Sequence, residues 1–521
     1  MDWVSTVDRV TVLGRRAGRS SVLGLLILAC LALPVPAQEE ADEAEEAATE
    51  PDAVAAPSAD GRLPAARTTR HSVELGDRVL AFRATAGALT LTDPAGKAEA
   101  EIGYVAYVLD GEAVADRPVT FAVNGGPGAA SAYLHLGVLG PWRLPVGEAR
   151  IVPSQPVGLV ANAETWLAFT DLVFLDPVGT GFSRLIEPDD RLRGRYLSVA
   201  GDVDALADAI YRWLVSEGRI GSPKYFIGES YGGFRGPLVA EKLQREVGVG
   251  LSGMTLLSPV LDFGWRTQPS HNPLARVALL PSLAAAAMEE AGTLSPAALA
   301  EVEAYAAGDY LLDLVAGLGD GAAIGRLVER VAAITGLPPE AVARYAGRLE
   351  MQDFAAEAGR ADGRVLSLYD TGVTADDPTP ERPVSRAPDP VLDGLTAPLT
   401  SAALAHYRDT LDWLPERRYV LLGRGVSRAW DWGDGRGQPE AVSDLRRVMA
   451  LDPSFRVLVA HGLTDLVTPY FESELILRQI PDFGPGERLR RATYPGGHMF
   501  YTREESRRAF RDDARWLYGV E

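Results

Sequence analysis

One pentapeptide constrains this chain more than any other stretch. Gly228-Glu229-Ser230-Tyr231-Gly232 stands where an apolar run, 224–227, gives way to a helix-prone run from Pro237 through Leu243. A strand that ends in Gly-x-Ser-x-Gly and passes into a helix presents its serine on a sharp, strained turn. The glycines two before and two after Ser230 let the turn close without Cβ clashes. Pro237 is expected in the first helical turn, where its missing N–H costs nothing. A chain of 521 residues with 53 glycines can contain such a pentapeptide by chance, so the reading depends on its company.

That company is a set of short, nearly continuous apolar runs at 119–123, 171–175, 225–227, 254–257 and 455–460. Parallel strands buried on both faces read this way. Between the second and third run, residues 200–214 carry a helical period that puts Val203, Leu206, Ala207, Ile210, Trp213 and Leu214 on one face. Strand–helix–strand alternation implies an α/β sandwich with a mostly parallel central sheet. Ahead of it, residues 78–83, 89–92 and 101–108 alternate as antiparallel strands do, with a turn at 92–96. From Asp262 to Ser454 the alternation stops. Segments at 280–291, 296–307, 325–334 and 339–349, and part of 392–414, are expected to be helical; 372–390 is expected to be loop. A last helix is expected over 503–518. The domain plan is a core in two parts, 62–261 and 455–521, separated by a mostly helical insertion or cap, 262–454.

The first residues follow a different logic. Arg9, Arg15, Arg16 and Arg19 precede an apolar run, 22–35, that ends in Val35-Pro36-Ala37. This is the order of a secretory signal peptide, and the run is short for a transmembrane helix. Residues 1–37 are expected to be a signal peptide cleaved after Ala37, with an uncleaved anchor as the alternative. Cys30 is the single cysteine and follows Ile27-Leu28-Ala29, which makes lipid anchoring there a minor alternative. Cleavage would leave a secreted or periplasmic protein without disulfides or thiolate chemistry, and with no stable membrane span. Residues 38–61 are rich in Glu and Asp among alanines and prolines and hold no Lys or Arg, the composition of an acidic disordered linker. The net charge of −20 argues against a nucleic-acid partner. Oligomeric state is left open.

A serine nucleophile needs a base to take its proton and a carboxylate to hold that base. Behind a strand–serine–helix elbow those partners follow in the order Asp/Glu, then His. Strand 455–460 runs into His461-Gly462-Leu463-Thr464-Asp465, which puts Asp465 at a strand's carboxyl end, where open α/β sheets place function. Beyond it, Tyr494-Pro495-Gly496-Gly497-His498-Met499 presents a histidine on a Gly-Gly turn. Of the six histidines, His498 alone has that place and order. The expected triad is Ser230, Asp465 and His498 on an α/β-hydrolase fold. An oxyanion needs preorganised N–H donors. One is expected from Tyr231 and another from the loop Asn124-Gly125-Gly126-Pro127-Gly128. No cofactor and no metal is expected: there is no His-Glu-x-x-His and no Gly-Lys-Ser/Thr loop.

These residues resemble the serine carboxypeptidases. The resemblance is carried by Asn124 to Gly128, by Asp176-Pro177-Val178-Gly179-Thr180-Gly181-Phe182-Ser183, by Gly228 to Tyr231 and by Gly497-His498-Met499. It runs from about Thr120 to the C-terminus, the insertion being alike only in general character, and is nearest to a cysteine-free bacterial branch. It implies peptide substrates that lose C-terminal residues, Asn124 and Glu229 at the substrate's terminal carboxylate, and the Gly126 and Tyr231 amides as the oxyanion hole. The chain departs from the family at Leu175, where the family has Asp. It also departs at Val123, Ala129-Ala130 and Val138, where eukaryotic members usually have Trp, Cys-Ser and a second Glu. With Val138 in that place the carboxyl pair is halved, and His135 is offered as a replacement donor. An esterase or acyltransferase is the alternative on the same scaffold, since such a triad serves any acyl transfer. A non-catalytic binding protein is a third reading, which an intact triad disfavours. Within the insertion, Trp430-Asp431-Trp432 is the candidate aromatic patch of the cleft.

Overall fold

The computed structural model describes residues 62–520 apart from 77, 112–115, 147–151, 155–156, 267–270, 383–386, 434–436 and 485. The expected signal peptide (1–37), the acidic linker (38–61) and Cys30 lie outside the described residues.

One sheet organises the chain. Its path comprises β1 (Arg67–Leu75), β2 (Arg78–Thr92), β3 (Ala98–Leu109), β4 (Val119–Val123), β5 (Asp171–Leu175), β6 (Lys224–Glu229), β7 (Gly253–Leu257), β8 (Arg456–Gly462) and β9 (Leu489–Tyr494). Their spatial order is 1-2-3-5-4-6-7-8-9, and a two-residue strand, Arg184–Leu185, adds to β3. The pairs β1/β2, β2/β3 and β3/β5 are antiparallel. From β5 through β4, β6, β7 and β8 to β9 the pairing is parallel. The order reverses about β4, which leaves a crevice beyond the carboxyl ends of β4 and β6, the usual place for a ligand in such a sheet.

Burial explains which strands the sequence marks. Every residue of β4, β5 and β7 is buried, so each is a continuous apolar run. The outer strands β1 and β9 carry Arg67, Arg70, Arg490 and Arg491 and alternate between exposed and covered positions. Sequence patterning does not mark either one, because charged side chains on an outer strand protect its open edge at the expense of apolar signal.

Helices cover both faces. α1 (Val199–Ser216) is opened by Ser198, whose side chain accepts the Gly201 N–H, and buries Val203, Leu206, Ile210 and Trp213. The Trp213 ring meets Phe121 of β4 edge-on at 5.5 Å. Each such buried side chain contributes ~1.5–3 kcal/mol. α2 (Tyr231–Lys242) starts immediately after Ser230, so Pro237 lies inside it and not in its first turn, contrary to the sequence reading. The helix begins earlier because the elbow itself is its N-terminus; Pro237 then removes one interior backbone bond.

The insertion holds α3 (Pro273–Glu290), α4 (Pro296–Tyr305), α5 (Gly321–Thr335), α6 (Leu392–Ala405) and α7 (Val442–Leu451), with shorter helices and a small hairpin between. Its own core gathers Leu280, Leu327, Val331 and Phe354 and continues into Leu466 and Phe471. α7 behaves differently. Its Leu445, Val448 and Met449 join Val239, Leu256 and Val457 in the core under the sheet, so this helix serves the sandwich although it lies within 262–454. The closing helix α8 (Glu504–Tyr518) buries Phe510, Ala514 and Leu517.

Candidate active site

Ser230 is the single residue between β6 and α2, held at φ 62° and ψ −122°. A non-glycine residue in that region carries ~1–3 kcal/mol of strain and persists only where its surroundings impose it. Here its N–H donates to the Leu257 carbonyl at 2.9 Å, and its own carbonyl accepts the Gly233 N–H at 2.9 Å. The flanking glycines are required by close approach. A Cβ on Gly228 would lie 1.9 Å from the Gly232 carbonyl oxygen, and one on Gly232 would lie 2.3 Å from that of Val123.

The loop after β4 presses on this turn. A Cβ on Gly125 would stand 2.5 Å from the Tyr231 nitrogen, and Gly126 takes φ 102°. Gly125, Gly126, Ser230, Tyr231 and His498 line one cavity of about 180 Å³. Arg235, one turn into α2, fastens the loop from behind. It donates to the Asn124 carbonyl, forms a two-pronged pair with buried Asp202 of α1 at 2.6 and 3.2 Å, and lies 4.6 Å over the Tyr231 ring. The segment 176–183 is a second brace. Asp176 accepts the Ser131 N–H at 2.8 Å, and Ser183 donates to the Asp176 carbonyl at 2.6 Å while accepting the Gly103 N–H. Gly181 pairs with Val420 of the insertion.

Asp465 and His498 come together beyond β8 and β9. His498 Nδ1 is 2.7 Å from Asp465 Oδ2, and both side chains are buried. Asp465 Oδ1 accepts the N–H groups of Val467 and Thr468 at 2.8 and 2.9 Å. Thr468 Oγ1 touches both Asp465 and His498 Nδ1. Burial disfavours the charged imidazolium, but the charge and hydrogen bond of Asp465, helped by Glu229, outweigh it and raise the His498 pKa above the ordinary value. Burial alone would raise Asp465; His498 and the Thr468 hydrogen bonds hold it below the usual carboxylate range.

Glu229 lies beneath the same cavity. Asn124 Nδ2 donates to its Oε2 at 2.7 Å, and Asn124 Oδ1 accepts the Leu134 N–H, which fixes the amide's orientation. Tyr501 donates from its hydroxyl, 3.0 and 3.1 Å from the two carboxyl oxygens. Burial pushes the Glu229 pKa up to about 7, against the opposing pull of His498, Tyr501 and Asn124.

His135 is not brought to this site, which corrects the sequence expectation. The turn 135–139 directs it into the sheet face, where Nε2 is 2.6 Å from the Tyr107 hydroxyl and the ring stacks on Phe174 at 4.4 Å. Burial lowers its pKa well below the ordinary value. Tyr133, two residues earlier, is the one that lines the cavity, and Val138 is buried. The aromatic patch also divides. Both rings meet Tyr231 edge-on at 5.6 Å, but Trp430 is buried with Phe234 and Leu197, whereas Trp432 is 38% exposed and lies 4.7 Å from Phe263. Sequence reasoning missed Tyr501, Thr468 and Arg235. Spacing offered a signal for the first two, each three residues beyond a triad candidate.

Sheet order, elbow and the carboxylate–imidazole pair define an α/β-hydrolase. The family profile described as serine carboxypeptidase matches residues 80–280. The pheromone-processing carboxypeptidase KEX1 of Yarrowia lipolytica is 33% identical over 152 residues, 29% of this chain and 23% of that protein. Serine carboxypeptidase-like 50 of Arabidopsis thaliana is 30% identical over 140 residues, 25% of this chain and 27% of that protein. The chain thus spans about a quarter of the length of these curated relatives. The crystal structure of a prohormone-processing carboxypeptidase, Kex1, from Saccharomyces cerevisiae superposes with a TM-score of 0.54 at 13% identity, over 84% of this chain and 91% of that one. That likeness shows a shared fold. No helix among the described residues is long and apolar enough to cross a membrane.

Proposed function

We propose that this chain is a serine carboxypeptidase that removes C-terminal residues from peptides through an acyl-enzyme on Ser230. The observation that carries the reading is a buried carboxyl, Glu229, adjoining Ser230 in sequence and tied to Asn124 and Tyr501, beside the His498–Asp465 pair. An acyl-transfer site without exopeptidase duty has no need of such a group. His498 takes the Ser230 proton as Oγ attacks the scissile carbonyl, and Asp465 holds the imidazole and balances its charge. The Gly126 and Tyr231 amides receive the oxyanion. His498 then protonates the leaving amine, and water releases the acyl group. Protonated Glu229 donates to the substrate's terminal carboxylate, and Asn124 holds it in place; with Val138 where the family has a second Glu, burial supplies the raised pKa that like-charge repulsion would otherwise supply.

The insertion 262–454 is read as the roof of the cleft, since Tyr369, Leu392 and Leu422 contribute to the cavity wall. Residues 1–37 are read as an export signal, which would place the enzyme outside the cytoplasm. Assignment to a cysteine-free branch rests on loss of Cys30 with that segment.

The test is labelling with a fluorophosphonate, then digestion of an N-blocked dipeptide alongside its amide and a p-nitrophenyl ester. Labelling at Ser230 with the free-acid dipeptide cleaved far better than its amide is expected. Ester turnover with no cleavage of the free-acid dipeptide would instead favour an esterase.

A further inference from the structure

The catalytic cavity has a neighbour, and one arginine stands between them. Arg266 follows the single turn Phe263–Trp265 at the start of the insertion. It lines the cavity of Ser230 and His498, and also a second cavity of about 390 Å³ bordered by Trp265, Arg276, Leu349, Glu350 and Glu472. Arg266 and Val467 are the residues common to both linings.

Among the described residues, the donors of this guanidinium are largely unspent. Nε donates to Oε1 of buried Glu472 at 3.1 Å. Nη2 is enclosed and has no acceptor among the described residues. A guanidinium carries five donors in a fixed fork that matches a carboxylate, and leaving an enclosed donor unmet is unfavourable. Glu472 therefore holds the head group in place without exhausting it. The other acid of the second cavity is already engaged: Glu350 accepts from Arg276 at 2.8 Å. Each carboxylate there faces a guanidinium, and Arg266 retains donor capacity.

Direction follows from the far end of the site. Asn124 and Tyr501, which hold Glu229, do not border the second cavity. A peptide with its terminal carboxylate at Glu229 and its scissile carbonyl at Ser230 spends its last residue between those two groups, and the chain that continues away from Glu229 is the part preceding that bond. Arg266 stands at the join of the two cavities, on the way from Ser230 to the second one.

We infer that Arg266 is a specificity-determining residue that pairs with an acidic side chain on the residue before the scissile bond. The favoured substrates are peptides ending in Glu or Asp followed by one further residue. This deepens the carboxypeptidase reading and rests on it for the direction of the peptide.

The experiment uses the full-length protein and N-blocked Glu-Phe, Gln-Phe and Lys-Phe, with p-nitrophenyl esters of the same blocked Glu and Gln. The esters lack a terminal carboxylate and so read the acyl side alone. Wild-type kcat/KM is expected to favour Glu over Gln by roughly tenfold or more in both series, with Lys the poorest. Arg266→Met should bring the Glu-to-Gln ratio to about one, and Arg266→Lys should keep part of it. A wild-type ratio near one, or a ratio that survives Arg266→Met, overturns the proposal. If Arg266→Met fails to fold, the wild-type ester ratio and Arg266→Lys decide. A Glu preference among esters with no dipeptide cleaved would sink the carboxypeptidase reading and leave Arg266 standing.

Discussion

The cavity around Ser230 has two walls built on different principles. On the core side, geometry is set by backbone. Gly125, Gly228 and Gly232 approach neighbouring main chain so closely that no Cβ fits, and Ser230 is held in a strained conformation by main-chain bonds. On the insertion side, the wall is made of side chains: Tyr369, Leu392, Leu422 and Arg266. The insertion is fastened to the core at separate points. The Tyr369 carbonyl accepts the His498 N–H at 2.5 Å, Gly423 donates to the Gly128 carbonyl at 2.7 Å, and Arg503 of the core bonds Asp370 and Glu289 of the insertion. A backbone-built wall tolerates little change and suits a fixed reaction. A side-chain wall can vary residue by residue, as selectivity requires.

The largest effects are expected on the core wall. Ser230→Ala should lower kcat by ~10⁴-fold or more, and Asp465→Asn by a similar order, because the imidazole loses its orienting carboxylate. Both variants should retain the wild-type melting temperature to within a few degrees, and steady-state kinetics on one blocked dipeptide checks them. Either variant keeping more than about a tenth of wild-type turnover would mean that the backbone-built wall does not carry the chemistry.

A pH comparison sharpens the contrast further. His498 must be neutral to act as base, and its raised pKa means that this form is lost as pH falls through a value above the ordinary 6.5. Glu229 must be protonated to hold a carboxylate, and that form is lost as pH rises through about 7. Free-acid peptides should therefore show a narrow bell near neutrality in kcat/KM, whereas esters should show only the ascending limb. Glu229→Gln donates at every pH, so the descending limb should disappear. Since the Glu229 charge helps raise His498, the ascending limb of the ester profile should also move to lower pH. A descending limb that persists in Glu229→Gln would assign that ionisation to another group.

The same division governs what could be read in advance. The triad candidates and the glycine loop are legible because backbone constraints force short, fixed spacings: strand to serine to helix, Asn124 to Gly128, Gly497 to Met499. The buried parallel strands are legible because both faces demand apolar residues. β1 and β9 are not, since charged, half-exposed outer strands lack that signature. The sequence does not place His135, because a residue near a motif can turn to the opposite side of one helical turn, and only the packing on Tyr107 and Phe174 decides which. Arg266 and Tyr369 reach the cavity from an insertion whose order along the chain says little about its folding over the sheet. α7 shows the same limit, since its Leu445, Val448 and Met449 face the core under the sheet although it lies inside the insertion span.

The smallest expected effect separates the two tryptophans of residues 430–432. Trp430 is 7% exposed and meets the Tyr231 ring edge-on at 5.6 Å, so it supports the residue whose amide is the proposed oxyanion donor. Trp430→Ala should cost ~3 kcal/mol or more of stability and lower kcat on every substrate alike. Trp432 is more than a third exposed and rests on Phe263, which lines the cavity. Trp432 also meets the Tyr231 ring edge-on at 5.6 Å, so Trp432→Ala removes a half-exposed contact at the rim while the buried Trp430 still supports the same ring. Its expected signature is a change of a few-fold in KM that differs between peptides, with kcat and the melting temperature nearly constant. Thermal melts and a panel of blocked dipeptides check both variants. Uniform losses on all peptides with a lowered melting temperature in Trp432→Ala would return this ring to the core wall and move the boundary between the two.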